Sequence, residues 1–340
     1  MIGRTLVTGG AGFIGSHLVD ALMATGSPVT VLDDLSAGDA GNLAMARVNG
    51  DLRFIQGSIL NQRVLEQAMA DCDRVFHMAV QCVRRSLANP IENHEVNATG
   101  TLNVLEAARR NAIVRFIYCS SSEVYGNSSD GLLHEDTTVC RPVTVYGAAK
   151  LAGEFYTDAY RRTYGLPTQI VRPFNAYGPR AHVRGELAEV IPRFVIRVLN
   201  GRPPVVFGSG ANGRDFTYVT EVARGLLIAG YSDNMIGTCV NIAYGSKISV
   251  EEVARAVMRT CGRNDLTMQI ASPRPGDVRM LRADTGRAEK LLGYRPNIHF
   301  DDGLQLYINW FKEAYPNPSI LLEDEVTNWG LPAQTKRGAA

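Results

Sequence analysis

Hydrophobic and polar positions in the first half of the chain repeat with two periods. Short apolar runs predict strands at 4–8, 28–33, 53–55, 74–77, 115–119 and 169–172. The segments at 13–25, 61–70, 95–111 and 146–164 have the spacing of helices that bury one face. Because short strands alternate with longer helices, the pattern predicts an α/β fold with a doubly wound parallel sheet that helices cover on both faces.

The pattern changes after about Phe174, where proline and glycine become frequent and short strands and helices mix irregularly. Ser249 and Glu252 have the spacing of a capping box and predict the start of a helix that reaches about Cys261. We therefore expect a sheet domain at 1–174 and a smaller C-terminal α/β lobe at 175–315, of which some segments can return to the sheet. Residues 316–340 show little periodicity, and we expect this tail to be loosely ordered at its end.

Composition narrows the classes of function. The 340 residues are 45% hydrophobic and 20% charged with a net charge of +1, which fits a globular protein and favours neither nucleic acid nor a membrane surface as a partner. We expect no membrane span and no signal peptide, because no apolar stretch approaches ~20 residues and a strand begins at once. The six cysteines lack C-x-x-C spacing, so we expect no metal site and a reducing, cytoplasmic location.

A glycine-rich turn follows the first strand and opens the first helix. Gly10, Gly12 and Gly15 fit the pattern G-x-G-x-x-G, which lets the backbone turn tightly and a pyrophosphate approach the helix N-terminus. Asp33 ends the second strand, where a carboxylate can accept hydrogen bonds from a ribose 2′-hydroxyl and would repel a 2′-phosphate. The spacing therefore predicts a dinucleotide site that favours NAD over NADP. An incidental glycine turn is the alternative, and the strand–turn–helix context argues against it.

A tyrosine and a lysine lie four residues apart on a predicted helix. This spacing places Tyr146 and Lys150 on one helix face about a turn apart. A phenol with a pKa of ~10 is a poor base at neutral pH, but a nearby ammonium and the positive nicotinamide ring of NAD both lower that pKa. Tyr146 can then take a proton from a sugar hydroxyl while hydride leaves. The spacing alone is common by chance, so the prediction depends on the glycine turn as well.

Several motifs occur in one order along 5–311, and together they resemble the extended short-chain dehydrogenase/reductase family, the nucleotide-sugar epimerases and dehydratases. The matching stretches are Thr8-Gly9-x-x-Gly12-x-x-Gly15, His77-Met-Ala79, Val96-Asn97-Ala-Thr-Gly100, Ser120-Ser-Ser-Glu-Val-Tyr-Gly126, Tyr146-x3-Lys150, Arg172-Pro-Phe-Asn-Ala-Tyr-Gly-Pro-Arg180, Arg214-Asp-Phe-Thr-Tyr218 and Arg274-Pro-Gly-Asp-Val-Arg279.

The resemblance implies a Rossmann-type fold with tightly bound NAD that is recycled within the catalytic cycle. Ser58 stands where the family often has an aspartate that contacts the adenine. The helices at 95–111 and 146–164 match those that form a four-helix interface in homodimers, although their apolar content does not distinguish dimer packing from packing on the sheet. The implied cofactor contacts are Gly9, Gly12, Phe13, Ile14, Gly15, Asp33, Ser58, Ile59, Ala79, Asn97, Tyr146 and Lys150.

The resemblance also assigns catalytic roles near the end of the fifth strand. Ser121 occupies the position that hydrogen-bonds the sugar hydroxyl undergoing oxidation. Glu123 resembles the base of sugar 4,6-dehydratases, which removes the C5 proton once C4 is a ketone. Its alternative role is a contact with a substrate hydroxyl or a helix end. Ser122 replaces the acid that one dehydratase branch places before the glutamate, an arrangement similar to the GDP-mannose dehydratases and the decarboxylases.

The C-terminal lobe is expected to hold a nucleotide-diphosphate sugar. Asn175, Arg214 and Arg279 match positions that bind the pyrophosphate, and the stretch 204–207 matches the backbone that pairs with the base. Arg84 can hold the sugar or cap a helix, and the sequence does not choose between these roles. The full set of implied substrate contacts is Arg84, Asn175, Arg180, Val190, Arg193, Val206, Phe207, Arg214 and Arg279.

Three reactions remain compatible with these residues. The leading hypothesis is a 4,6-dehydratase of a nucleotide hexose, the alternative is a 4-epimerase, and decarboxylation of a UDP-uronic acid comes third. A module that senses NAD without chemistry is a different class, which the presence of both Tyr146 and Lys150 disfavours.

Overall fold

The computed structural model describes residues 3–127 and 131–331. Its strands in chain order are β1 (Arg4–Thr8), β2 (Val29–Asp33), β3 (Leu52–Gln56), β4 (Cys72–His77), β5 (Arg115–Cys119), β6 (Thr168–Pro173), β7 (Asn175–Tyr177), β8 (Val205–Phe207), β9 (Gly213–Arg214), β10 (Phe216–Tyr218), β11 (Cys239–Ile242), β12 (Ile248–Ser249) and β13 (Gln269–Ala271).

The helices confirm the alternation that the sequence predicts. They are α1 (Phe13–Ala24), α2 (Ala44–Asn49), α3 (Gln62–Met69), α4 (Val83–Ala88), α5 (Pro90–His94), α6 (Gly100–Arg110), α7 (Val145–Tyr164), α8 (Val190–Leu199), α9 (Val219–Tyr231), α10 (Val250–Thr260), α11 (Gly286–Leu292) and α12 (Phe300–Ala314). A π-helical stretch, Glu95–Thr99, joins α5 to α6, so the helix predicted at 95–111 begins one turn earlier than the pattern indicated.

A seven-stranded parallel sheet forms the centre of the molecule, in the order β11-β6-β5-β4-β1-β2-β3. The order confirms the doubly wound fold, because the chain builds outward from β1 in one direction and then from β4 in the other. The strand order therefore reverses between β1 and β4, and ligands of such folds bind in the crevice at the carboxyl ends of these strands. The glycine turn follows β1 at this point.

Both faces of the sheet are covered by helices. On one face, α1 packs against α9, and their apolar residues share a core with β1, β2 and β11. On the other face, α3, α6 and α7 share a core with β4 and β5. Helix α7 lies so close to β5 that a Cβ atom on Gly153 would lie 2.2 Å from the hydroxyl oxygen of Tyr118. Burial on both faces explains why these strands read as continuous apolar runs.

The C-terminal lobe has its own core, which α8, α10 and α12 form around the short strand pairs β7–β10 and β8–β13. Helix α9 and strand β11 leave the lobe and return to the central sheet, as the sequence analysis allowed. The tail is folded through Leu331, with Leu321 buried against the lobe core. The prediction of loose order at its end concerns 332–340, which lie outside the described residues.

Neither a membrane span nor a metal cluster occurs in the described part of the chain. Every described helix is too short or too polar to cross a bilayer. No three described histidine, cysteine, aspartate or glutamate side chains lie together as metal ligands would.

Candidate active site

A cavity of about 310 Å³ opens at the carboxyl ends of β1 and β4, and the glycine turn forms its floor. Gly9 has a φ of +68°, and a Cβ atom on Gly15 would lie 2.2 Å from the carbonyl oxygen of Gly9. Only glycine therefore fits at these two positions. Helix α1 begins after Gly12, whose backbone caps it without a side-chain hydrogen bond. The first turn of α1 thus offers its N–H groups and its positive dipole end to an anion in the cavity.

Asp33 lies at the end of β2 and lines the same cavity. Its carboxylate accepts hydrogen bonds from the backbone N–H groups of Ala11 and Leu35, both at 2.9 Å. Burial nevertheless raises the pKa of this carboxyl above its ordinary value. The two backbone bonds hold Asp33 beside the phosphate turn, in the place where it can accept a hydrogen bond from a ribose hydroxyl.

The structure brings most of the predicted cofactor contacts to this cavity, but not Ser58 or Asn97. Ser58 accepts a hydrogen bond from the N–H of Leu60 and lies outside the lining. Asn97 is buried and binds both backbone groups of Gln81, at 2.9 and 3.0 Å. Asn97 therefore positions the loop after β4 instead of lining the cavity. The predicted residues that do line it are Gly9, Gly12, Phe13, Ile14, Gly15, Asp33, Ile59, Ala79, Tyr146 and Lys150.

Helix α7 places Tyr146 at the wall of the cavity. Thr144 caps the helix by accepting a hydrogen bond from the N–H of Gly147 at 3.1 Å, so Tyr146 lies in the first helical turn. Gly147 allows this turn to approach the backbone of Glu123, because a Cβ atom there would lie 2.8 Å from the Glu123 carbonyl oxygen. Burial raises the pKa of the Tyr146 phenol, while a hydrogen bond with Ser121 acts in the opposite direction.

Lys150 lies on the same helix as Tyr146, lines the same cavity and is held by the end of β5. Its ammonium donates to the carbonyl oxygen of Cys119 at 2.5 Å and lies 4.7 Å from the ring centre of Tyr118. Burial lowers the pKa of Lys150 to about 8. Tyr146 and Lys150 share the cavity, but the direct lowering of the Tyr146 pKa by Lys150 stays a prediction for the complex with cofactor and substrate.

A buried ion pair behind the site escaped the sequence analysis. Glu154 of α7 and Arg172 of β6 form two hydrogen bonds, at 2.6 and 2.8 Å, with both side chains only 6% exposed. Glu154 also accepts a hydrogen bond from the hydroxyl of Ser120, the neighbour of Ser121. The pair therefore ties the catalytic helix to the ends of β5 and β6. Arg172 lies in one of the motifs that resemble the family, and Glu154 lies one turn after Lys150 on the same helix face. These two positions were the signal in the sequence that could have indicated the ion pair.

Glu123 lies where the first cavity meets a second one, and it lines both. It belongs to a short 3-10 helix, Ser122–Val124, whose N-cap is Ser121. Burial raises the pKa of the Glu123 carboxyl, and the nearby Arg214 and Arg274 oppose that rise. Ser121 and Ser122 line the first cavity beside it. A carboxyl with a raised pKa at this junction can accept and return a proton.

The second cavity extends from Glu123 into the C-terminal lobe. Arg214 and Arg274 both donate to one carboxylate oxygen of Asp277, at 2.7 Å each. Two guanidinium groups that share one carboxylate retain a net positive charge, which suits a diphosphate. Of the predicted substrate contacts, those that line this cavity are Arg84, Asn175, Val190, Arg193, Phe207 and Arg214.

Three predicted substrate contacts lie elsewhere. Val206 is fully buried in the lobe core, so only its backbone can serve a ligand. Arg180 forms an ion pair with Asp20 at 2.7 Å and lies outside both cavities. Arg279 is exposed, and its backbone N–H donates to Asn127. Arg274, at the other end of the same motif, lines the second cavity in the role that the sequence analysis gave to Arg279. The spacing of the motif alone does not show which of the two arginines faces the cavity.

Comparisons with known proteins identify the family of this chain. The family model described as the NAD dependent epimerase/dehydratase family matches residues 5–243. A putative UDP-glucose 4-epimerase of Methanocaldococcus jannaschii is 36% identical over 90% of this chain and 98% of its own. A dTDP-glucose 4,6-dehydratase of Streptomyces niveus is 33% identical over 91% of this chain and 93% of its own.

A solved structure extends the similarity to three dimensions. The dTDP-glucose 4,6-dehydratase DesIV of Streptomyces venezuelae, crystallised with NAD, superposes with a TM-score of 0.88 at 32% identity, over 94% of this chain and 100% of that one. Sequence, fold and the paired cavities lead to one assignment: the chain belongs to the NAD-dependent epimerase/dehydratase family of enzymes.

Proposed function

We propose that this chain binds NAD in the first cavity and a nucleotide-diphosphate hexose in the second, and that it is a 4,6-dehydratase. The observation that carries the proposal is Glu123, a carboxyl with a raised pKa that lines both cavities beside Ser121 and Tyr146. The first turn of α1, which has no side-chain cap, fits the pyrophosphate of NAD. Asp33, held by the backbone N–H of Ala11, fits a ribose of NAD. NAD bound there supplies a reversible acceptor for the hydride of C4.

The first step needs a proton acceptor for the 4-hydroxyl of the sugar. Tyr146 fits this role, since it lines the first cavity together with Ser121, which acts to lower the pKa of the phenol. Ser121 in turn can donate to the developing carbonyl oxygen. The Lys150 ammonium, held at the end of β5, adds positive charge that favours the phenolate.

Glu123 accounts for the dehydration. A ketone at C4 makes the C5 proton acidic, and the Glu123 carboxylate can remove it. The C6 hydroxyl then leaves, and it departs as water after it takes up the proton that Glu123 holds. The hydride taken from C4 adds to C6, and C5 takes up a proton from solvent that balances the one Tyr146 accepted from the 4-hydroxyl. The sugar therefore loses one water, and no external oxidant or reductant is consumed. Ser122, buried in the cavity wall, can donate a hydrogen bond to the leaving oxygen.

A 4-epimerase is the second candidate, and Ser122 is the observation that favours it. A serine hydroxyl is a far weaker acid than a carboxyl for assisting a leaving hydroxyl. Relatives of this chain also include UDP-glucose 4-epimerases. In that reaction the 4-keto sugar turns over and hydride returns to the opposite face of C4, while Glu123 only contacts a hydroxyl.

Product mass separates the candidates. The enzyme is incubated with UDP-, TDP-, GDP- and CDP-hexoses and with a UDP-uronic acid in heavy water, and the products are weighed by mass spectrometry. A 4,6-dehydratase loses water and gains one deuterium at C5, whereas an epimerase keeps the mass and a decarboxylase loses carbon dioxide. Loss of water without deuterium at C5 would remove Glu123 as the base. An absence of any product would favour a module that only binds NAD.

We also propose that the protein is a cytoplasmic homodimer that pairs α6 and α7 of two copies. Phe155 of α7 and Ile91 of α5 are 67% and 70% exposed, and Leu102 of α6 is 38% exposed. Large apolar side chains on adjoining helices favour burial against a second copy. The cytoplasm is supported by the cysteine pattern of the sequence.

A further inference from the structure

A C-terminal strap, residues 323–331, contributes Val326, Asn328 and Trp329 to the lining of the second cavity. Glu323 accepts a hydrogen bond from the N–H of Gly185 at 2.7 Å, and Asn328 donates to the carbonyl oxygen of Ala188 at 2.8 Å. Between them, Arg193 of α8 donates to the carbonyl oxygen of Val326 at 2.6 Å. These bonds hold the strap against the segment that enters α8, and that segment is itself part of the cavity wall.

The strap brings Trp329 to the apolar end of the cavity. Trp329 packs edge-to-face with Phe207, with ring centres 4.6 Å apart and ring planes at 76°. Val205 and Phe194 line the same cavity. The charged groups around Asp277 act on Glu123, so they belong to the end of the cavity that faces the catalytic residues. The cavity therefore combines a cationic end beside Glu123 with the aromatic pair of Phe207 and Trp329.

We propose that Trp329 packs against the nucleobase of a bound nucleoside diphosphate and that the strap completes the base pocket. The inference rests on the proposed function, because it takes the occupant of the second cavity to be a nucleotide. A diphosphate between Arg214 and Arg274 leaves the base to extend toward Phe207 and Trp329. An indole and a phenyl ring set at a steep angle offer one face and one edge to a flat base, the arrangement that aromatic groups prefer.

Arg193 acquires a different role from the one its position in sequence implied. It lines the cavity, but its guanidinium is used by the backbone of Val326 and lies 3.7 Å from the carboxylate of Glu323. Arg193 is therefore a positioning residue for the strap and leaves phosphate binding to Arg214 and Arg274. The face of an indole accepts every base, so the strap contributes affinity, while the backbone of 204–207 can contribute the choice of base.

The test uses the fact that the chain contains only two tryptophans, Trp310 and Trp329. Trp310 lies on α12, stacks on Tyr307 and is not among the residues that line either cavity. Binding of UDP, TDP, GDP and inorganic pyrophosphate to the NAD-loaded full chain is measured by calorimetry for wild type, Trp329→Ala, Trp329→Phe and the matched control Trp310→Phe. Indole fluorescence is followed in the Trp310→Phe and Trp329→Phe proteins, each of which keeps one tryptophan.

We expect Trp329→Ala to weaken binding of the preferred nucleoside diphosphate roughly 5- to 150-fold, the range for loss of one base–aromatic contact. The affinity for pyrophosphate should stay unchanged, and the nucleotide affinity of Trp329→Phe should fall between those of wild type and Trp329→Ala. Nucleotide should change the fluorescence emission only of the Trp310→Phe protein, which keeps Trp329. Equal nucleotide affinity in wild type and Trp329→Ala overturns the inference and leaves the proposed function intact. Equal losses for nucleotide and pyrophosphate also overturn it. If wild type binds none of the nucleotides, the proposed function falls and the inference with it.

Discussion

Glu154→Gln is expected to destabilise the protein because it breaks a buried ion pair behind the active site. The carboxylate of Glu154 accepts two hydrogen bonds from Arg172 and one from Ser120, and the two charged side chains are each 6% exposed. Glutamine keeps the shape but removes the charge. The guanidinium of Arg172 keeps its hydrogen bond to the Tyr125 hydroxyl at 2.9 Å, but it loses the carboxylate that balances its charge in the interior.

The size of the effect follows from the cost of an uncompensated buried charge. Removing one partner of a buried pair costs about 3–5 kcal/mol, most of it because the other charge loses its partner. An unfolding entropy of about 2.1 cal/mol/K per residue gives a chain of this size about 0.7 kcal/mol/K. The melting temperature should therefore fall by about 4–7 °C. Arg172→Met in the same chain removes the stranded charge and should restore part of the loss.

Thermal unfolding followed by circular dichroism measures the shift. The matched control is Glu251→Gln, which makes the same chemical change in a pair with Arg255 at 2.7 Å whose side chains are 41% and 60% exposed. An exposed pair contributes about 1 kcal/mol or less, so the control should melt within about 1–2 °C of wild type. Equal shifts for Glu154→Gln and Glu251→Gln would show that burial of the pair does not determine its contribution.

Three further predictions concern the site and the dimer. The value of kcat/KM should fall on the alkaline side of its pH profile as Lys150 loses its proton near pH 8. It should also fall on the acid side as Glu123 becomes protonated, at a pH above the ordinary pKa range of a glutamate. A profile that is flat through pH 8 would contradict the role of the Lys150 charge. Asp33→Ala should reduce the NAD that co-purifies and narrow the preference for NAD over NADP by about 10-fold or more, measured by calorimetry, whereas an unchanged preference would remove Asp33 from the ribose site. Phe155→Asp should shift the sedimentation coefficient from that of a dimer to that of a monomer, and an unaltered value would place the interface elsewhere.

Much of the central sheet could be predicted because its pattern is local. Strands buried on both faces read as short apolar runs, and the glycine turn needs a backbone that only glycine adopts at Gly9. Strand β11 was harder to place, because it lies far along the chain and pairs with β6 only through long-range contacts. The C-terminal lobe shows no regular spacing of hydrophobic positions, so its strand pairs could not be predicted from the sequence.

The site was predicted in part, and its errors have physical causes. Motif positions located the cavity, but they did not show which end of a motif faces it, so Arg279 was chosen where Arg274 stands. Asn97 has two backbone partners that a sequence does not reveal. The hydrogen bond from Lys150 to the carbonyl oxygen of Cys119 is a tertiary contact, which the four-residue spacing from Tyr146 did not indicate.

The most direct test of the proposed reaction follows one hydrogen atom. A nucleotide hexose that carries deuterium at C4 is given to the NAD-loaded enzyme in ordinary water, and the product is examined by NMR. Transfer within one active site by a 4,6-dehydratase places that deuterium at C6, in the same molecule and without loss to solvent. Deuterium that stays at C4 would identify an epimerase, and deuterium lost from the product would contradict the account of an internal hydride transfer beside Tyr146 and Glu123.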